Sequence, residues 1–173
     1  MLIIGASGGV GTFAVQVAKA MGCHTTGVCS GRNVDLVRSL GADAVIDYTQ
    51  GDYRQRAGEF DVVFDVTSFE TPKRCKALMG QSGYFISTAG QANAYWGMAS
   101  AKLGFLSQAN ARAQFIFVES YTRDLITLRE WIEAGQVKPI IDSVFDFEHT
   151  EDAYARSKSG RARGKVVVKL AGS

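Results

Sequence analysis

The apolar positions of this chain fall into short dense runs that alternate with stretches of helical spacing. Leu2–Ile4 is a run of strand length that ends in a glycine cluster, Gly5, Gly8, Gly9 and Gly11. Apolar residues then recur at Val10, Ala14, Val17, Ala18 and Met21, one face of a helix. The alternation continues with a second strand over His24–Cys29 and a helix carrying Val34, Val37 and Leu40, capped by Asn33 and stopped by Gly41. A third strand follows at Ala44–Ile46. The fourth, Asp61–Val66, has the near-continuous apolar centre of a buried parallel strand. Pro72 opens a helix holding Cys75, Leu78 and Met79. Tyr84–Thr88 is strand five, residues 94–108 form a helix or lid, and Gln114–Val118 is strand six.

This pattern predicts an α/β fold over residues 1–119, a doubly wound parallel sheet of Rossmann type with strand order 3-2-1-4-5-6. From residue 120 to 173 the character changes to a helix and strand appendage. Arg123–Ala134 is amphipathic through Leu125, Leu128 and Ile132, and Lys138–Asp142 and Val144–Phe147 are extended. Thr150 caps a short helix with Glu151 and Asp152 in its first turn, and Gly164–Leu170 is a last strand.

Strand, glycine turn and helix are the context in which a glycine fingerprint means dinucleotide binding. Gly8 lets the backbone approach a pyrophosphate, Gly11 lets the helix pack close to the strand, and free amides of the first turn face the anion. Ala6 stands where the strict G-x-G-x-x-G spacing has its first glycine, so a purely structural turn is the competing reading. No Gly-Lys-Ser/Thr follows, which argues against a P-loop.

The end of strand two selects the cofactor. An acid there would bind the ribose hydroxyls of NAD. This chain has Cys29-Ser30-Gly31-Arg32-Asn33 instead, a hydroxyl and a guanidinium with no carboxylate. Arg32 offers two parallel donors to an extra phosphate, so NADPH is favoured and NADH is the weaker possibility. A solvated Arg32 is the plain alternative.

Composition narrows the class. With 46% apolar and 21% charged residues and a net charge of +2, the 173 residues read as a globular domain with no general pull towards nucleic acid. No apolar run approaches the roughly 20 residues of a membrane span. Cys23, Cys29 and Cys75 are odd in number and lack metal-ligand spacing, which predicts reduced thiols, a cytoplasmic location and no metal in this chain. His24 and His149 stand apart from any nucleophile, and neither a Ser–His–Asp nor a Tyr-x-x-x-Lys arrangement is present. No catalytic residue is assigned.

Ile4–Gly11 (IGASGGVG), Val28–Asn33 (VCSGRN), Leu36–Tyr48 (LVRSLGADAVIDY) and Asp61–Val66 together resemble the cofactor domain of the medium-chain dehydrogenase/reductase superfamily. The branch they resemble most is the quinone oxidoreductase-like enzymes, which reduce enones or quinones with NADPH. Glu133–Asp142 (EAGQVKPIID) and Ser159–Val168 (SGRARGKVVV) resemble that family's C-terminal signature. The resemblance implies that Gly8, Gly9 and Val10 meet the pyrophosphate. It places Ser30, Arg32 and Asn33 at the 2′-phosphate with Tyr48 opposite, and Thr67, Gly90, Phe117 and Val118 near the adenosine or nicotinamide. It implies a quinone, enone or carbonyl substrate, and a homodimer joined through the 114–118 edge strand. Members carry a mostly β catalytic domain ahead of this fold, whereas this chain opens inside strand one. The expectation is therefore a cofactor-binding portion whose C-terminal segment packs, in the family, on the catalytic domain. A nucleotide-binding module without catalysis is the second hypothesis, and an NAD-linked zinc alcohol dehydrogenase fragment a third.

Overall fold

The computed structural model describes residues 1–55, 57–88, 112–115 and 121–170. Six strands form one parallel sheet in the order β3-β2-β1-β4-β5-β6, the order expected. They are β1 (Leu2–Ile4), β2 (Thr26–Cys29), β3 (Ala44–Asp47), β4 (Phe60–Asp65), β5 (Met79–Ser87) and β6 (Arg112–Phe115). Helix α1 (Gly11–Ala20) follows β1 and helix α2 (Val34–Ser39) follows β2. In the tail, α3 (Thr122–Glu133) precedes β7 (Ile141–Asp146), α4 (Thr150–Lys158) and β8 (Lys165–Lys169), and β7 and β8 pair parallel in a sheet of their own. Among the described residues no helix is long and apolar enough to cross a membrane.

Period-two alternation in β1 builds both halves of the core. Leu2 and Ile4 point into one cluster with Val28, Val63, Leu78 and Phe85. Ile3 points the other way, to Ala6, Val15, Ala18 and Val37. A strand covered on both faces has no polar face to show, hence its unbroken apolar run.

Three sequence expectations need correction. Asn33 stands at the N-cap position of α2 but does not cap it with its side chain. It ends a 3-10 turn (Gly31–Asn33), and its side chain makes no cap hydrogen bond. Pro72 opens only a turn and a 3-10 segment (Lys76–Leu78), and Met79 begins β5 opposite Phe60. Gly83 explains the early start: a Cβ there would lie 2.8 Å from Met79 Cβ and 2.9 Å from Phe60 O. Its bare backbone lets β5 close onto β4 across an irregular register. Thr150 lies inside α4 rather than at its cap, and its hydroxyl donates back to Phe147 O at 2.5 Å. Strand six is observed over Arg112–Phe115; residues 116–118, the 94–108 segment and Gly90 lie outside the described residues.

The tail is tied to the sheet domain by few but specific bonds. Gln16, 5% exposed on α1, donates to Thr12 O at 2.8 Å and to Lys138 O at 3.0 Å, and its carbonyl accepts Lys138 N at 2.8 Å. A glutamine is one of the few side chains that can answer both backbone groups of one residue. Gly164 N donates to Ser7 O at 3.1 Å, which pins the tail to the glycine turn. By contrast, α3 buries none of its residues, and Leu125, Ile126 and Ile132 on it are exposed. Gln16→Ala is therefore expected to cost about 1–3 kcal/mol by leaving both groups of Lys138 unpaired. The measurement is a thermal melt followed by circular dichroism. An unchanged Tm would mean that the clamp contributes nothing.

Candidate functional site: a cleft between the glycine turn and the tail

The turn after β1 is shaped by what it excludes. A Cβ on Gly11 would lie 2.0 Å from Gly5 O and under 3 Å from the Ala6 backbone, so α1 docks on the turn only because residue 11 has no side chain. Gly8 would meet only Gly5 O at 3.6 Å, and its bareness serves the open side of the turn instead. No side chain caps α1 and no acid sits in its first turn. Among the described residues the amides of Gly9 and Val10 donate to nothing. The positive end of the helix is thus left uncommitted beside two free donors.

The tail forms the facing wall. A cleft of about 510 Å³ is lined by Gly8 and Gly9 on one side and by Tyr154, Gly160, Gly164 and Lys165 among others on the opposite side. A Cβ on Gly9 would sit 3.1 Å from Gly164 O and 3.4 Å from Lys165 Nζ, so this ammonium hangs over the turn. Lys165 forms no ion pair among the described residues and lies 5.7 Å from the Phe13 ring centre. Sequence reasoning placed Lys165 in a strand and a family signature but missed it as a site residue. Its only local signal was a cation flanked by glycine at the strand's start.

The predicted 2′-phosphate group is divided by the structure. Asn33 is buried and donates to Ser7 Oγ at 2.9 Å and Ser30 Oγ at 3.2 Å, which ties the β2 turn to the glycine turn. Its carbonyl oxygen is buried without a donor. Arg32 is exposed and leans towards the tail, where its Nη2 donates to Arg161 O at 3.4 Å. Tyr48, 53% exposed, follows β3 on a 3-10 turn (Tyr48–Gln50). Thr67 sits after β4 against Gly5, and both its amide and its hydroxyl donate to Asp65 Oδ1. Asp65 is fully buried and also accepts from Ser68 N and Glu70 N, so one carboxylate fixes the whole loop and supports Ser68 at φ 64°. Gly90, Phe117 and Val118 lie outside the described residues.

An acid does reach the end of β2, from the neighbouring strand. A Cβ on Gly31 would lie 2.5 Å from Asp47 Oδ2, and Asp47 accepts Thr49 N at 2.9 Å and Thr49 Oγ1 at 2.7 Å. The Thr49 bonds hold this carboxyl below its usual range, with a smaller contribution from the Gly31 amide. The linear sequence hid this neighbour because β3 pairs with β2 in parallel, Cys29 beside Asp47.

Neither histidine lines this cleft or the neighbouring one beside Arg32. Burial first, and Asp47 second, push the Cys29 thiol up to about 11, and burial followed by Glu70 pushes Cys75 to about 12. These thiols are held protonated in separate core clusters, whereas zinc takes thiolates. Among the described residues no three His, Cys, Asp or Glu side chains come together to hold a metal, so the donor set here does not fit zinc.

The family profile described as zinc-binding dehydrogenase matches residues 40–168. A trans-enoyl reductase of Aspergillus terreus is 35% identical over 186 residues, covering 96% of this chain and 50% of the relative. A chloroplastic quinone oxidoreductase of Triphysaria versicolor is 35% identical over 172 residues, covering 97% of this chain and 51% of the relative. The solved quinone oxidoreductase of Coxiella burnetii superposes with a TM-score of 0.84 at 24% identity, over 97% of this chain and 51% of that one, a likeness of fold. The chain spans about half the length of the curated relatives it matches. By the extent of these matches, the chain belongs to the zinc-binding dehydrogenase family of the medium-chain dehydrogenase/reductase superfamily.

Proposed function

We propose that this chain is the nicotinamide-nucleotide-binding portion of an NADPH-dependent oxidoreductase that reduces enones or quinones. The observation that carries the reading is the bare Gly8–Gly9 turn with two free amides, faced across one cleft by Lys165. Those donors suit a pyrophosphate, and Arg32 at the end of β2 suits the 2′-phosphate. Relatives named as enoyl reductase, quinone oxidoreductase and NAD(P)H oxidoreductase support the reaction class.

Each part of this chain then has a task. Gly9, Val10 and Lys165 hold the diphosphate, and Asn33 keeps the β2 turn and glycine turn in register through Ser30 and Ser7. Asp65 fixes the Thr67–Ser68 loop at the crevice where the strand order reverses, between β1 and β4. A bound reduced nicotinamide supplies the hydride, and the protein supplies position and electrostatics. The edge strand β6 is the proposed contact of a homodimer.

Asp47 favours a second reading, NADH, because a carboxylate beside Gly31 is where the ribose hydroxyls of that cofactor would be met. Calorimetric titration with both cofactors separates the two. Tighter binding of NADPH is expected, and failure to bind either would refute the nucleotide assignment. Arg32→Ala is expected to weaken NADPH about ten- to a hundredfold, the loss of roughly 1.5–3 kcal/mol for a bond to a charged group, and to leave NADH nearly untouched. Equal losses for the two would remove Arg32 from the 2′-phosphate.

A further inference from the structure

On the nucleotide reading above, we infer that Glu70 is a positioning residue: it takes Tyr53 and Arg54 from the segment after β3 and so holds the loop after β4 as a fixed wall of the cofactor crevice. The loop lies where a ligand would meet it. Val66 N donates to Ile4 O at 3.2 Å, and a Cβ on Gly5 would lie 2.5 Å from Thr67 Cγ2, so residues 66–67 pack on the glycine turn. Strands β1 and β4 pair at the point where the strand order reverses, and ligands of this fold bind at that crevice.

Asp65 fixes the backbone of this loop from the end of β4, and Glu70 adds a polar anchor from another part of the chain. The Glu70 side chain is 6% exposed. Its Oε1 accepts Tyr53 Oη at 2.7 Å and Arg54 Nη2 as well. Its Oε2 faces Arg74 Nε at 3.6 Å and accepts from Cys75 Sγ at 3.8 Å. Meanwhile Glu70 N donates to Asp65 Oδ2 at 3.0 Å, and Arg74 Nη1 donates to Phe69 O at 3.2 Å. One residue thus joins the loop's own carboxylate to a second set of donors.

Those donors are themselves fixed. The passage from β3 to β4 holds two 3-10 turns, Tyr48–Gln50 and Tyr53–Gln55. The Tyr53 ring is buried in the core cluster with Leu2, Ile4 and Val28, so its hydroxyl issues from a set point of the core. Burial, then the bond to Glu70, push the Tyr53 phenol above its ordinary range, and it stays a donor. Asp52 Oδ1 accepts Arg54 N at 3.0 Å and Arg54 Nη1 at 2.8 Å, which clamps the arginine from behind. The same segment starts next to Asp47, which lies against Gly31 at the end of β2, so one ion pair joins segments that reach both sides of the crevice. The choice of groups argues for geometry over stability. A buried ion pair loses its hydration and is often no more stable than an apolar pair of the same volume. Here Arg54 Nε is also buried without a partner among the described residues, a further cost. What the pair supplies is direction, because a guanidinium and a phenol meet a carboxylate oxygen in few orientations. Ser68, at φ 64°, is a conformation that needs such holding.

The test reads loop order and cofactor affinity separately, in the 173-residue chain and in Glu70→Gln, Arg54→Met, Arg54→Lys and Tyr53→Phe. Hydrogen exchange followed by mass spectrometry gives the order of residues 66–70 without ligand. Calorimetry well below each Tm gives the binding of NADPH and NADH. Glu70→Gln and Arg54→Met are expected to speed exchange over 66–70 while α1 stays protected. Both cofactors should weaken by the same factor, about two- to thirtyfold, the range for a residue that acts on a ligand through others. Arg54→Lys, which keeps the charge, should stay closer to wild type than Arg54→Met. A lower Tm with unchanged exchange or unchanged affinities would mean a merely structural pair and overturns the inference. Losses confined to NADPH overturn it too, because a wall serves both cofactors alike. Should Glu70→Gln not fold, Tyr53→Phe decides in its place: it removes one donor, keeps the ring in the core, and is expected to give the same pattern at smaller size. A wild-type chain that binds neither cofactor refutes the nucleotide reading. Faster loop exchange in Glu70→Gln would then still uphold the anchor, and unchanged exchange would refute both.

Discussion

Gly11→Ala is expected to fail as a folded protein or to melt far below the wild type. The added methyl would lie 2.0 Å from Gly5 O, 2.7 Å from Ala6 Cα and 2.8 Å from Ala6 C, all backbone atoms with no rotamer to escape into. Relief requires α1 to lift off the β1 turn, and α1 carries Val15 and Ala18 into the core cluster built on Ile3. Overpacking of a tolerant site costs about 1–3 kcal/mol. A clash with fixed backbone under a helix belongs above that range, against a total stability of about 5–15 kcal/mol. At about 2–4 °C per kcal/mol for a chain of this size, Tm should fall by roughly 10 °C or more. A variant melting within about 2 °C of wild type would show that α1 reaches its position in some other way.

Gly8→Val should do the opposite, leaving the fold and removing the ligand. A Cβ at residue 8 meets only Gly5 O at 3.6 Å, an ordinary contact, so the turn closes as before. Its methyl groups would then project into the cleft that Gly9 and Lys165 share. Binding of NADPH and NADH should fall together by about a hundredfold or more, roughly 3 kcal/mol, with Tm close to wild type. The joint loss distinguishes it from Arg32→Ala, which acts on one cofactor. A variant that binds both normally would reduce the glycines to a structural turn.

Most of the sheet was legible because its parallel strands carry dense apolar runs: Leu2–Ile4 is buried on both faces, and Asp61–Val66 keeps a continuous apolar centre although only Val63 and Asp65 of β4 are buried. The strand order then followed from the alternation of strand and helix. Less was legible where a local signal competed with a distant contact. Met79 has helical spacing from Cys75, yet Gly83 lets it pair with Phe60. Asn33 is a good helix cap by type, yet two serines, one 26 residues away, take its amide. Half of the candidate site could not be read at all. Gly8, Gly9 and Arg32 announce themselves in a strand–turn–helix context, but Lys165, Arg161 and Asp47 matter only because pairing and docking set them beside those residues.

The clamp from Gln16 to Lys138 joins residues 122 positions apart, and Arg32 meets Arg161 across 129. Contacts of such high sequence separation form late, after the loop-closure entropy of the intervening chain has been met. During synthesis, at about 5–20 residues per second, the glycine turn leaves the ribosome roughly 10–30 s before the segment that faces it. The early half of the sheet can fold in that interval with an anion-seeking helix end and no opposite wall. A nascent chain should therefore build the early half of the sheet before the wall that faces the glycine turn is in place.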